Sequence, residues 1–450
     1  MSQAKPREFK FVDGRARKRR KRGAAQAVIP GVNTTSLVPT SAVSHFSVVR
    51  EGNTNRRNNQ EFCVLPLTSD FEANPFRCND KTSTNSQLLL HSILALSYRH
   101  VNRLTGDCSD EAKEHKHRAL KLLEQELQPS GTKAGLLDAM LIPMTLNCAT
   151  SAHGPWNSHL TRAYTILEAA GSLSAMLRAP RARAQIEMLV WWDVTLTLTS
   201  RKGYVMPESY VSRLFADDAA ESFYNVSGCP FELFRHMFRL ARYAREFELA
   251  ETMTCVTFRT DLVLEVERCI GEWSVEGYGD VCAAVLLDED TRARIVEEDC
   301  AGGSGTVEEK ANARQDLHHC AEAWRYALLL YVERVFKWDR TGPPSPVLGL
   351  LARKTLNHVR SCRRSSMVQK QLLLPVFLAG CETKDSTLRE LASDYCAWWA
   401  EKARYDMFAT TCLLLEEVWA SKSEGAWWGS VVDDKGRIAT EQSPQQFLFG

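Results

Sequence analysis

Apolar residues that recur three and four positions apart constrain this 450-residue chain more than any other feature. Such spacing covers one face of an α-helix. One stripe runs over 89–104, a second over 119–127 ends before Pro129, and a third over 156–170 is followed by Gly171. Because few segments alternate as strands do, the pattern predicts an all-α fold.

Composition and spacing divide the chain into an arm, a connector, a helical domain and a tail. The predicted parts are a disordered basic arm at 1–60, an irregular connector at 61–85, a single large all-helical domain at 86–428 with a mobile insertion near 287–314, and a C-terminal tail at 429–450. The arm lacks helical or strand periodicity and is rich in Arg, Asn, Ser, Thr and Gly, as disordered segments are.

Charge is concentrated in the arm. Residues 1–60 carry 13 Lys and Arg against three acidic residues, whereas the remaining chain carries 43 against 52. Net charges of +10 and −9 therefore follow one another along a chain whose total is +1. Seven of the cations fall within eight positions: Arg15, Arg17, Lys18, Arg19, Arg20, Lys21 and Arg22.

A cluster of this density favours a polyanionic or acidic partner, since like charges keep it extended and accessible. We expect a nuclear import receptor, DNA phosphates, or both, and therefore a location in the nucleus. Phosphate contacts carry almost no base information, so attraction to DNA would be non-specific. A solvated tail without a partner is the simpler alternative. No membrane contact is expected, because the longest apolar stretches, 189–199 and 371–380, are too short to span a bilayer.

Catalytic and metal-binding patterns are not found. The two closest of the 14 cysteines are 13 residues apart, which excludes the close ligand pair typical of zinc sites. His115 and His117, and likewise His318 and His319, do not have the i, i+4 spacing that places two ligands on one helix face. The sequence therefore predicts no metal, no cofactor and no enzyme.

One acidic segment supports an alternative. Asp217, Asp218 and Glu221 could chelate a divalent cation, as an Asp-rich segment does in all-α terpene cyclases. That chemistry needs a second metal-binding segment across the cavity, and no such segment follows. A solvated acidic turn is the preferred interpretation.

Five segments carry a family resemblance. They are LLLHSILALSYRH (88–100), GPWNSHLTRAYTILEAAG (154–171), GCPFELFRHMFRLARYARE (228–246), LLPVFLAGCETKDSTLRELA (373–392) and LLLEEVW (413–419). In this order they resemble the fungus-specific transcription factor domain, the helical regulatory region that accompanies binuclear zinc-cluster regulators. The resemblance implies a nuclear transcriptional regulator or co-regulator that forms a homodimer or heterodimer and senses a metabolite or a partner. Control of a secondary-metabolite gene cluster is one role that it suggests.

The N-terminal region departs from that family. Its regulators usually carry six N-terminal cysteines that bind two zinc ions, whereas the first 62 residues here contain none. Either an upstream exon is missing, or this is a member without a zinc module; PREFKFVDGRARKRRKR (6–22) resembles the start of such members. Contact with DNA is therefore expected to be weak or to depend on a partner regulator.

Overall fold

The structure is a computed structural model, and the part of the chain that it describes is almost entirely helical. It describes residues 63–77, 86–105, 110–126, 136–216, 220–253, 255, 257–275, 305–340, 342–421, 427–438 and 445–450. Over these ranges the predicted all-α fold is confirmed. The predicted disordered arm lies outside the described residues.

The first ten helices precede the gap at 276–304. They are α1 Gln87–Thr105, α2 Glu111–Glu126, α3 Leu136–Thr150, α4 Trp156–Ala170, α5 Leu173–Met176, α6 Pro180–Ser200, α7 Glu208–Ala216, α8 Ala220–Ser227, α9 Phe231–Thr252 and α10 Thr260–Glu272. Seven more follow it: α11 Gly305–Val332, α12 Pro346–Ser361, α13 Met367–Lys370, α14 Leu373–Glu382, α15 Ser386–Lys402, α16 Asp406–Ala420 and α17 Trp428–Ile438. A π-helical turn, Glu333–Lys337, extends α11.

Helix α6 is the centre of the core. It begins at Pro180, whose missing N–H costs nothing at a first helical position, and every residue from Ala184 to Ser200 is buried. Because this stretch has no solvent-facing side, neighbouring elements must cover it on all sides. Helices α4, α7, α8, α9 and α17 pack around it.

A second layer is built on α11, which packs against α10, α12, α13 and α14. Helices α14 and α16 approach each other closely at Gly380. A Cβ atom there would lie 2.9 Å from Leu415 Cδ2 and 3.4 Å from Ala392 Cβ, so a larger residue would push these helices apart. Helix α16 also contacts α3, which joins the second layer to the N-terminal helices.

The predicted connector is irregular from 63 to 77, and its side chains are part of the core. Leu67 and Phe76 are buried. The backbone N–H of Thr68 donates to the Asn225 carbonyl at 3.1 Å, and the Gln371 side chain donates to the Pro66 carbonyl at 2.8 Å. The segment 63–77, the entry segment, is therefore anchored to the helical domain by several contacts.

The C-terminal residues also belong to the core, where the sequence predicted a tail. Residues 428–438 form α17, and Gln446–Phe447 (β2) pairs antiparallel with His153–Gly154 (β1), with His153 opposite Phe447. The Phe449 ring is fully buried and stacks on Phe377 at 4.3 Å. The tail prediction failed because a two-residue strand has no detectable period, and only tertiary contacts hold it.

The predicted insertion at 287–314 lies outside the described residues up to position 304. From Gly305 the chain is helical, and residues 305–314 form the first turns of α11. Their sequence, GTVEEKANAR, contains strong helix formers, so the helix begins earlier than the apolar stripe alone indicated. Ala313 is buried and anchors these turns.

We expect Phe449→Ala to lower the free energy of unfolding by about 3–5 kcal/mol, because it removes a fully buried ring and leaves a cavity. Urea titration followed by circular dichroism measures the change. Leu413→Ala is the control: its side chain is 60% exposed, and the expected change is within about 0.5 kcal/mol. Equal stability of both variants and the parent would show that 446–450 is a loosely held tail.

Candidate functional site

Most of the predicted site residues fall outside the described structure. The seven cations from Arg15 to Arg22 and the pair Asp217–Asp218 are among them, while Glu221 lies in α8. Within the described residues, no group of three or more His, Cys, Asp or Glu side chains could hold a metal ion. The helices of the described part are all too short or too polar to cross a membrane.

Histidines pair across helices rather than along them. His91 Nδ1 on α1 lies 2.8 Å from His115 Nδ1 on α2, and His319 Nδ1 on α11 lies 3.1 Å from His358 Nδ1 on α12. Tyr98 stacks on the His115 ring. Spacing along one helix does not reveal such pairs. The members of the first pair lie 24 residues apart in the sequence, and those of the second pair lie 39 residues apart.

The second pair lies in an environment that disfavours charge. Burial, followed by the neighbouring His319, lowers the pKa of His358 to about 4. Burial and the neighbouring His318 lower the pKa of His319 as well. Both imidazoles are therefore neutral at pH 7. At least one of them must be neutral, because only an unprotonated ring nitrogen can accept a hydrogen bond from the other ring.

Two buried arginines are matched by carboxylates. Arg201, at the end of α6, bonds to Glu248 at 3.0 Å and to Asp433 at 2.6 Å, and its side chain is only 2% exposed. Arg334 forms a bidentate salt bridge with Glu382, with Nε–Oε1 and Nη2–Oε2 distances of 2.6 and 2.5 Å. Both pairs follow the rule that a buried charge requires a partner.

Lys370 is buried without such a partner. Its side chain, at the end of α13, donates hydrogen bonds to the backbone carbonyls of Leu65 and Leu67 in the entry segment. Burial lowers the pKa of its ammonium group to about 7, and no carboxylate pairs with it among the described residues. The sequence contains a weak signal for this residue, since Lys370 is the cation that directly precedes the apolar run 371–380.

Lys370 borders a cavity of about 40 Å³. Trp192, Phe408 and Leu373 contribute apolar walls, and Thr145 and Tyr405 contribute hydroxyl groups. The volume holds a few water molecules and is far below the 300–1,000 Å³ or so typical of drug-sized ligands. An open groove of about 410 Å³ lies elsewhere, between His153, Leu413, Glu417 and Lys435.

The cavity offers no nucleophilic thiol. Cys148 lines it, but burial raises the pKa of that thiol to about 12, so the thiolate required for attack is not formed near neutral pH. The described cysteines are all free. The site is suited to binding rather than to covalent catalysis through cysteine.

Comparison with known families assigns the class of protein. The sequence model described as the fungal specific transcription factor domain matches residues 62–440. Comparisons with curated proteins and with solved structures found no significant match. Since the family model covers most of the chain, the protein belongs to the fungal specific transcription factor domain family.

Membership confirms the resemblance seen in the five sequence segments. It indicates a regulator of transcription, and the family region includes the entry segment and all of α17.

We expect acidification to destabilise the fold through the His319–His358 pair. The unfolded histidines titrate near pH 6.5, whereas the folded pKa of His358 is about 4. The unfolded state therefore binds more protons within this window, so stability is full above it and falls as the pH decreases from about 6.5 to 4. His358→Gln, which cannot titrate, should reduce that loss.

Free energies of unfolding at pH 7.5, 6.5, 5.5 and 4.5 test this expectation. His117→Gln is the matched control, because His117 is exposed on α2. The explanation fails if His358→Gln loses stability with pH as steeply as the parent does.

Proposed function

We propose that the protein is a nuclear regulator or co-regulator of transcription with two working parts. The helical domain dimerises and controls activity, while the basic arm supplies nuclear import and non-specific attraction to DNA. The observation that carries this proposal is the match of the transcription factor domain over 62–440, in a chain whose preceding N-terminal region holds seven cations in eight positions at 15–22.

Electrostatics favours DNA contact through the arm rather than through the domain. Residues 61–450 carry a net charge of −9, which repels a phosphate backbone, whereas residues 1–60 carry +10. The segment Arg15–Arg22 contains no aromatic residue on which a base could stack. Specific targeting is therefore proposed to depend on a partner regulator.

Exposed apolar side chains support dimerisation. Leu249 and Met253 at the end of α9 and Leu264 on α10 are among the few large apolar residues exposed in the described part, and α9 packs against α10. Burial of exposed apolar surface of this kind against a second chain is energetically favourable. We propose that this surface contributes to a homodimer or heterodimer interface.

The regulated genes are proposed to include a secondary-metabolite cluster. This part of the proposal depends on the family alone, and transcript profiling of a deletion strain tests it. Coordinated change of neighbouring biosynthetic genes would support it, and scattered changes would argue against it.

Replacing the seven cations from Arg15 to Arg22 with Gln should abolish nuclear accumulation and weaken DNA binding. If all seven contact phosphates, the slope of log affinity against log salt should be about −6, and it should approach zero in the variant. Fluorescence imaging of a tagged full-length protein and binding to fragmented genomic DNA across a salt series measure the two effects.

The matched control replaces Arg50, Arg56 and Arg57, which are basic residues of the same region outside the cluster. It should retain nuclear accumulation and most of the salt slope. Fragment enrichment that survives physiological salt would show sequence-specific recognition by the protein itself and would contradict the non-specific role of the arm.

We expect Leu264→Glu to raise the dissociation constant of the dimer at least about tenfold, because a charge replaces an apolar contact at the interface. Analytical ultracentrifugation of the full chain measures this change. Leu413→Glu, on an exposed face of α16, is the control. A monomeric parent protein would remove homodimerisation from the proposal.

A further inference from the structure

Three histidines from two helices lie close together where α11 packs against α12. His318 and His319 belong to α11, and His358 belongs to α12. The ring centroids are 5.3 Å apart for His319 and His358, 5.4 Å for His318 and His319, and 6.2 Å for His318 and His358. His318 is exposed and the other two are half-buried, so ions in the solvent have access to these rings.

The closest ring nitrogens have a separation that suits one shared metal ion. His319 Nδ1 and His358 Nδ1 are 3.1 Å apart. Two imidazole nitrogens that bind one ion at about 2.0–2.1 Å, with an angle of about 90–110° between them, lie roughly 2.9–3.4 Å apart. The same separation suits a hydrogen bond in which one Nδ1 carries the proton. A metal ion would take the place of that proton, and each ring would carry its proton on Nε2.

Carboxylates lie near the pair on the α11 side. Asp316 and Glu322 are three residues before and after His319, which places them on the same side of the helix. Arg363 pairs with Asp316 at 2.7 Å, and Arg325 pairs with Glu322 at 2.6 Å. Because these arginines offset the carboxylates, coordination bonds rather than net charge must supply most of the affinity for a cation.

The inter-helix pair on α1 and α2 has a different separation. His91 Nδ1 and His115 Nδ1 are 2.8 Å apart, which suits a hydrogen bond and is shorter than the range for two nitrogens on one ion. This pair therefore serves as an internal comparison for the pair on α11 and α12.

We propose that His319 and His358 bind a divalent transition-metal ion that prefers imidazole, such as Ni²⁺, Zn²⁺ or Cu²⁺, through their Nδ1 atoms. Among the described residues, no group of three or more His, Cys, Asp or Glu side chains could hold a metal ion, so this site has two protein ligands and water completes the coordination. The spacing of histidines along α11 does not reveal the site, because α12 supplies one of the two ligands. This inference does not rest on DNA binding or dimerisation.

Occupancy has a structural consequence, because the two ligands belong to different helices. The ion would join α11 to α12 through residues that lie 39 positions apart in the sequence. A ligand that binds only the folded state raises the thermal unfolding midpoint. The metal would therefore stabilise the second layer of the fold.

The first experiment titrates the full chain, freed of metals with a chelator, with NiCl₂ in a calorimeter. Ni²⁺ is the probe because imidazole suits it, whereas thiolates select softer ions, and the chain contains 14 cysteines. Binding should be saturable, and the thermal unfolding midpoint should rise with Ni²⁺. MgCl₂ is the reference, since Mg²⁺ prefers oxygen ligands. An equal response to Mg²⁺ would overturn the proposal.

Two variants locate the binding. His319→Gln and His358→Gln each remove one of two protein ligands, and each should weaken Ni²⁺ affinity at least about tenfold. His91→Gln and His117→Gln are the matched controls and should retain the parent affinity. Undiminished binding in both ligand variants, or a loss confined to His91→Gln, would overturn the assignment to α11 and α12.

Hydrogen exchange of the parent protein provides a readout that does not depend on how well a variant folds. Ni²⁺ should slow amide exchange within 315–323 on α11 and within 354–362 on α12, with Mg²⁺ as the reference. Added protection confined to other segments would show that Ni²⁺ binds elsewhere, and no added protection would show that the two histidines only share a proton. Either result would overturn the proposal.

Discussion

Burial of helix α6 on all sides is the constraint on which the rest of the structure depends. Its residues from Ala184 to Ser200 are all buried, so neighbouring elements must cover every face of the helix. Its polar groups must then be satisfied internally: Thr195 bonds back to the Trp191 carbonyl, and Asp193 accepts from the Met206 N–H at 2.7 Å. The surrounding helices form the layer that covers α6 and satisfies this requirement.

The same principle explains how buried charges are distributed. Arg201 and Arg334 can lie within the fold because carboxylates from distant helices meet them. Lys370 has backbone carbonyls in place of a carboxylate, which leaves its charge uncompensated and its pKa low. Of these three buried cations, Lys370 is the one whose side chain bonds to neutral carbonyls instead of a carboxylate in the described part of the chain.

The described segments on either side of the helical body, 63–77 and 445–450, both pack against it. The entry segment is held through Lys370 and Gln371, and the C-terminal residues are held through the β1–β2 ladder and the Phe449 ring. The basic arm precedes the entry segment along the chain.

The sequence by itself determined the helical class, the position of the basic arm and the family, because each depends on local spacing or on a contiguous motif. Periodic apolar residues such as those at 156–170 predict a helix wherever they occur. The buried ends of the domain, the inter-helix pair His319–His358 and the Lys370–Tyr405 cavity were decided only by tertiary structure. Their members lie tens of residues apart and carry no common spacing, so only the packing of distant helices brings them together.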